Sequence, residues 1–558
     1  MLNKHRTRWW GAVLGGISVL SLVGCAALPT AGPVNDSEVR VGMNQPLLGL
    51  SAPGPVPNAT VEQIVTGFIR ACSAGYSDDF TVARSFLAPK AAIDWRPDVQ
   101  VEIFDTDSAL ETRQLGDGSV EVTARALGSV DEHGNYTVAG PSERVRTVFS
   151  LVKPADNQWR IAALEDGVML SQSAFSSIYA SAPVYFLTND AGALVPDLRW
   201  YPRRRLPTYL VNALLAGPQA GFKGAVRSAF PAGSTLAGGA VDVFDGVANV
   251  SLNIPDPFSD PTTINLAYWQ IESTLRDVSG ISTVSLSIGK VPLENTNPIT
   301  QSTTPQFPIM VKDGNVVRLN SGATEVLVPA GVVASGVITN PAISTAGNEI
   351  VFTDSSYRRL YVWGHGAVTQ LYNGRELLAA SIDRNGWIWT LDTANPRQVI
   401  ALRPDGTRAN LEVPWETGDP VHAFTVSPDG TRVAFVRHVG QADIVSVAVV
   451  IRDGSGTPKS FSAPVTLQAG NEVVPAIAWL QGDSLVLLTG SGDNTTVRIA
   501  PLFGPVSTLP GVKNAVDLAA GEEENQIYLI TTGGDLYKRS GRNWQQVLNG
   551  VADPSYPG

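Results

Sequence analysis

The sequence predicts a multidomain chain of mixed class: an α+β domain first, an α/β domain next, and a six-bladed β-propeller at the C-terminal end. Three observations predict it. The chain has 558 residues, too many for one hydrophobic core. Apolar stripes of helical period each give way to runs of strand period before residue 292. Beyond residue 305 a strand–turn–strand unit recurs roughly every 40–50 residues, the length of a propeller blade. A content of 53 Gly and 38 Pro supplies the turns that such an architecture needs.

The first element is a leader, residues 1–24. Lys4, His5, Arg6 and Arg8 make a basic start, and Trp9 to Val23 is an apolar run too short to span a bilayer comfortably. It ends in Leu22-Val23-Gly24-Cys25-Ala26, which resembles the bacterial lipobox. That chemistry needs a thiol to take a diacylglyceryl group and small residues before it for the peptidase. Cys25 is therefore the candidate lipidation site, S-diacylglyceryl and N-acyl (palmitate-type) chains together giving a stable anchor where one chain would be marginal. The reading implies a chain tethered to the outer face of a cell membrane. Removing residues 1–24 takes away three cations and no acid, so the net charge moves from -11 to -14. An acidic chain without a basic tract argues against nucleic acid, and attachment to a membrane must be hydrophobic. With Cys25 lipidated, Cys72 is left alone and no disulfide within the chain is available.

Residues 25–57 comprise the lipidated cysteine and a tether carrying Pro29, Pro33, Pro46, Pro53, Pro55 and Pro57. Its upper reach is about 100 Å. Residues 58–165 form the predicted α+β domain. Thr60 and Gln63 have the capping-box spacing, and Val61, Ile64, Val65, Phe68, Ile69 and Cys72 fall on one helical stripe, so Cys72 reads as a buried small hydrophobe. A short helix at 79–87 is expected to stop at Pro89. Strands are expected at 99–104, 119–127, 144–153 and 159–164, the third alternating through Val148, Ser150 and Val152. Helices followed by a curved antiparallel sheet resemble the cone-shaped NTF2-like fold, which implies a possible ligand or partner cavity.

Residues 180–292 form the predicted α/β domain. Leu206, Leu210 and Leu214 step by four, with Pro207 in the first turn and Gly217-Pro218 as the stop. Asp245-Gly246 between strand-like runs signals a hairpin. Ile264, Tyr268, Ile271 and Leu275 mark a second helix, and Val284, Leu286 and Ile288 a last strand. The stretch Leu210-Val211-Asn212-Ala213-Leu214-Leu215-Ala216-Gly217-Pro218, the Asp245-Gly246-Val247 turn and Ser273-Thr274-Leu275 resemble the GerMN domain. That resemblance implies an extracytoplasmic interaction module.

Residues 305–558 carry the propeller repeat. Its five full copies start at Pro341, Leu378, Ala423, Ala476 and Val516, and each runs through a turn glycine into an apolar strand. Residues 551–558 look like a first strand with nothing after it, and 307–329 like later strands lacking a first. The simplest closure joins these two pieces in one shared blade, giving six blades and no open sheet edge.

Lipobox, helix-then-sheet domain, GerMN module and propeller in this order resemble the actinobacterial LpqB lipoprotein family. The resemblance implies binding to the extracytoplasmic domain of an MtrB-like sensor histidine kinase of the MtrA–MtrB two-component type, in envelope homeostasis and division.

A search for catalytic chemistry favours a non-enzyme, with no cofactor and no catalytic or metal residue assigned. His133, His365, His422 and His438 have no metal-ligand spacing with another His or a Cys. The chain lacks a Gly-x-Ser-x-Gly elbow, a phosphate-cradling loop and a His-Glu-x-x-His. Asp313-Gly314, Asp405-Gly406 and Asp429-Gly430 read as turns, and Glu522-Glu523-Glu524 as a solvated loop. His422 and His438, which flank a blade core, read as satisfied or solvent-facing. The alternative is a wall-associated glycan-binding protein or hydrolase, with peptidoglycan as its partner at the propeller mouth. Carboxylates clustered at the propeller mouth would favour that alternative, and exposed apolar patches on the rim would favour protein contact.

Overall fold

The computed structural model describes residues 52–558 apart from 117, 257, 259, 300–306, 335 and 468–471. The leader, Cys25 and most of the tether lie outside the described residues.

The first helix, α1 (Val61–Asp78), opens on the expected capping box: the Thr60 hydroxyl accepts from Gln63 N–H, and the Gln63 amide oxygen accepts from Thr60 N–H. Its apolar stripe is buried along its length, Cys72 included. Burial pushes the Cys72 thiol up, with the Asp78 charge adding to it, so the thiol stays protonated. Two short helices follow, α2 (Thr81–Arg84) and α3 (Pro89–Asp94). Pro89 thus starts a helix, because its missing N–H is no loss in a first turn.

The sheet under α1 runs in the order Arg160–Ala163, Arg144–Val152, Ser119–Asp131, Gln100–Phe104, Val168–Ser171. It departs from expectation in two ways. Its last pair is parallel, so the sheet is mixed and not wholly antiparallel. It takes in Val168–Ser171, beyond the expected end at 165. Arg144–Val152 alternates as expected, its inward face being Val145, Phe149 and Leu151, with Val148 and Val152 exposed. A two-residue step specifies alternation but not which face the core will claim.

After α4 (Gln172–Ile178), a long antiparallel hairpin, Tyr179–Thr188 with Leu194–Pro202, begins the second domain. Helix α5 (Leu206–Ala216) ends at Gly217 as expected. Asp242–Phe244 and Val247–Asn253 pair across Asp245 and Gly246, both at positive φ (48° and 78°), the pattern of a type I′ turn. Helix α6 (Pro261–Leu275), capped by Asp260, carries the chain over to Thr283–Ile288, which pairs parallel to Val247–Asn253. Gln270 on α6 is fully buried. Its amide oxygen accepts from Ala229 N–H at 2.6 Å and its amide nitrogen donates to Tyr185 O at 2.9 Å, pinning the long hairpin to the helix.

Among the described residues beyond 307, the strands form six sheets, each built on a four-strand meander. Five are contiguous: blade 1 (338–373), blade 2 (381–412), blade 3 (421–461), blade 4 (476–510) and blade 5 (515–548). In the sixth, Val551–Ser555 is the innermost strand against Ile309–Lys312, followed by Asn315–Asn320 and Ala323–Val328. Each innermost strand touches those of its two neighbours, and Val551–Ser555 touches both Ala515–Ala519 and Ile338–Ile343, so the ring is closed. The second strands are buried on both faces: Ile350–Asp354 and Ser484–Thr489 have no exposed residue. Trp387 and Trp389 are the largest fully buried side chains of the propeller.

Candidate functional site

The innermost strands line a narrow axial channel of about 150 Å³. Three neighbouring blades contribute polar groups to it: Asp517 from blade 5, Asp553 from the closing strand and Asn340 from blade 1. Ala379, Phe424 and Ile477 make the opposite wall. Asp553 and Asn340 sit at positive φ (50° and 49°) where bulges interrupt their strands. The bulges turn Asp553 across the blade boundary, and its carboxylate accepts from Asn340 N–H at 2.9 Å. Ser555 repeats the tie two residues on, donating to Pro341 O at 2.7 Å. Asp517 accepts from Leu518 N–H at 2.8 Å. Burial, with the Asp553 charge adding to it, pushes the Asp517 carboxyl up to about 7; burial also raises Asp553.

One face of the ring is occupied. The second domain sits on the turns that follow the innermost strands of blades 2, 3 and 4. Arg384 of blade 2 holds Asp190 in a bidentate pair, with one contact at 2.7 Å. Burial works against the Asp190 charge, but hydrogen bonds from Thr188 and Gly192 and the Arg384 guanidinium outweigh it and hold the carboxyl at about 2. Trp200 donates its indole N–H to Phe503 O at 2.8 Å. At the centre lies Arg432, 1% exposed and paired with Asp429. Its guanidinium stacks on Trp479 of blade 4 and Phe222 of the second domain, at 5.3 Å and 5.7 Å from the ring centroids. Gly558 closes over the same end of the channel, its N–H on Ile343 O, and packs near Pro428.

The other face carries the starts of the innermost strands and is free of the second domain in all these contacts. Val337, Val473 and Val516 lie there, just before or within the starts of the innermost strands of blades 1, 4 and 5, and are 47%, 56% and 42% exposed. His422 and His438 of blade 3 lie on the same face. Both turn to the buried carboxylate of Asp443, His438 Nδ1 at 2.9 Å and His422 Nε2 at 3.4 Å, and Asp443 also accepts from Val474 N–H at 2.8 Å. Sequence spacing could not show this, because the shared acceptor is a third residue on the next strand.

The remaining candidates are structural. His133 uses its backbone carbonyl, which accepts from Arg199 and Tyr201, while its ring is exposed. His365 is an exposed turn residue at φ 53°. Gly314, Gly406 and Gly430 are all at positive φ in turns. Asp429 does more than turn the chain, because it also anchors Arg432. Glu522, Glu523 and Glu524 are exposed on a short loop. No group of three or more His, Cys, Asp or Glu able to hold a metal occurs among the described residues. None of the described helices is long and apolar enough to cross a membrane.

Three family models match along the chain: "Lipoprotein LpqB, N-terminal domain" over 54–176, "Sporulation and spore germination" over 183–294, and "Lipoprotein LpqB beta-propeller domain" over 314–557. Along its length the chain is similar to the LpqB lipoproteins. Lipoprotein LpqB of Cutibacterium acnes is 26% identical, covering 97% of this chain and 98% of that one. Lipoprotein LpqB of Streptomyces coelicolor is 27% identical, covering 98% and 97%. Among solved structures, a nidogen–laminin complex is similar over 45% of this chain and 97% of that one, at 12% identity and TM-score 0.34. The Cps50 (Swd1) β-propeller domain of Myceliophteria thermophila is similar over 44% and 100%, at 10% identity and TM-score 0.30. Full-length agreement with LpqB lipoproteins bears out the resemblance read from the order of parts.

Proposed function

We propose that this chain is an LpqB-type lipoprotein, a membrane-anchored, non-catalytic accessory that binds the extracytoplasmic domain of an MtrB-like sensor histidine kinase through the free face of its propeller. The observation that supports this reading is the exposed valines around the channel mouth on the face the second domain leaves open. Apolar side chains ringed by polar strand ends are the composition of a protein contact surface. In-cell crosslinking followed by pull-down tests it. The wild-type chain should recover one membrane kinase. A chain lacking the propeller, or carrying Val473→Asp with Val516→Asp, should not. Undiminished recovery by both altered chains would refute the propeller as the contact surface.

The anchor in this reading is Cys25. A Cys25→Ala chain is expected in the culture medium, because no other lipid attachment is proposed. Membrane retention equal to wild type would overturn it. Asp517 and Asp553 in the channel favour the second reading, a glycan-binding or hydrolytic mouth, since acid–base pairs are built from neighbouring carboxyls and burial lifts Asp517 to about 7. Size weighs against it: about 150 Å³ is well below the roughly 300–1,000 Å³ of small-molecule sites.

A further inference from the structure

We propose that a cleft in the first domain, separate from the propeller, binds a saccharide. The cleft encloses about 480 Å³, within the range of small-molecule sites and three times the axial channel. It opens between the first turn of α1, the end of the Glu111–Gly116 hairpin and the connection from Arg144–Val152 to Arg160–Ala163. Trp159 forms its flat apolar wall, half-buried against the domain core. Around it stand the side chains of Asn58, Gln114, Ser119, Asn157 and Gln158.

The chemistry of this lining narrows the ligand. Its two charged groups are Glu62 and Lys153, one of each sign. Glu62 is kept ionised by its own backbone N–H and by the Thr60 hydroxyl, so a phosphate approaching the start of α1 would meet a carboxylate. One lysine beside that carboxylate gives no cation pair of the kind phosphate groups need. An acyl chain would strand the amides without partners. A pyranose ring meets both halves of the lining: its C–H face lies on an indole, and each hydroxyl needs a donor and an acceptor together, which primary amides supply.

The site is closed on itself in the unliganded chain. Gln114 donates to Glu62, and Asn58 N–H donates to Gln158 at 2.6 Å. The Lys153 ammonium lies over the Trp159 ring, 5.0 Å from its centroid. At an exposed site that contact is worth only about 0.5–1 kcal/mol, so a stacking sugar can displace it.

Calorimetric titration of the detergent-solubilised full-length chain tests the proposal, with the tetramers of N-acetylglucosamine and of glucose as probes and inorganic phosphate as the anion control. At least one tetramer should bind. Trp159→Ala should weaken it at least about tenfold, the worth of one lost stacking surface. Gln114→Ala with Asn157→Ala, at exposed positions, should weaken it about threefold or more, and this pair decides the matter should Trp159→Ala fail to fold. Lys290→Ala in the second domain should change nothing. Absence of heat with both tetramers, equal affinity in the cleft variants, or saturable binding of phosphate displaced by neither sugar would each overturn the proposal.

Discussion

Replacing Arg432 by alanine is expected to cost about 3–5 kcal/mol and to release the second domain from the propeller. Arg432 is 1% exposed, and removing it leaves Asp429 with its hydrogen bonds from Ser427 and Thr431 but no counter-charge. Burial opposes the charge of Asp429. The guanidinium, with those hydrogen bonds, keeps its pKa below the ordinary value. Alanine also empties the space between Phe222 and Trp479, so a packing loss adds to the electrostatic one. Lysine should not rescue it fully, since a point charge cannot stack on two rings and pair at once. Hydrogen exchange gives a local readout where a several-domain chain has no single unfolding energy. The turns at 427–432 and 481–483 and the strand Leu194–Pro202 should lose protection together. Wild-type protection in all three segments would show that Arg432 is not the link.

This junction shows what one-dimensional reading can and cannot reach. The capping box at Thr60, the Asp245-Gly246 turn, the stop at Gly217 and the repeating strand–turn–strand unit were legible because each is a local rule of the backbone. The hairpin Tyr179–Thr188 with Leu194–Pro202 was missed because Pro183, Pro196 and Pro202 argue against strands, yet all three pair within it. Its support is tertiary: Gln270 from α6 donates to Tyr185 O, and Asp197 accepts from Gln219 N–H beyond α5. Arg432 and Asp190 carried no signal of the junction, because the groups they meet across it, Phe222 and Arg384, lie far away along the chain. The ring of blades was visible in the sequence, but the face it leaves free followed only once the second domain was seen to cover the other.

The closing strand makes a second strong expectation: the propeller should grow less stable as pH rises from about 4 to about 7, and Asp517→Asn should remove that part of the slope. The folded-state pKa of Asp517, about 7, lies above its ordinary value of 3.8. Between those two values the folded chain holds a proton that the unfolded chain has released, so stability falls with rising pH. Below the lower value both states are protonated and nothing is lost; above the upper one both are ionised and the penalty is constant. Full conversion of such a shift would be ~4 kcal/mol, and partial access of channel water reduces it to about 2 kcal/mol. The strain falls on a sensitive joint, because Asp553, the charge that faces Asp517, is the residue that ties Val551–Ser555 to Asn340 of blade 1. Ionising Asp517 therefore sets two like charges across the seam that closes the ring. Asparagine keeps the shape and can still accept from Leu518 N–H without the charge. Thermal unfolding of wild type and Asp517→Asn should accordingly agree near pH 4 and diverge by pH 8, the variant melting higher. Parallel curves across that range would mean that Asp517 ionises in the ring as freely as in water, and that the channel is wetter than its geometry implies.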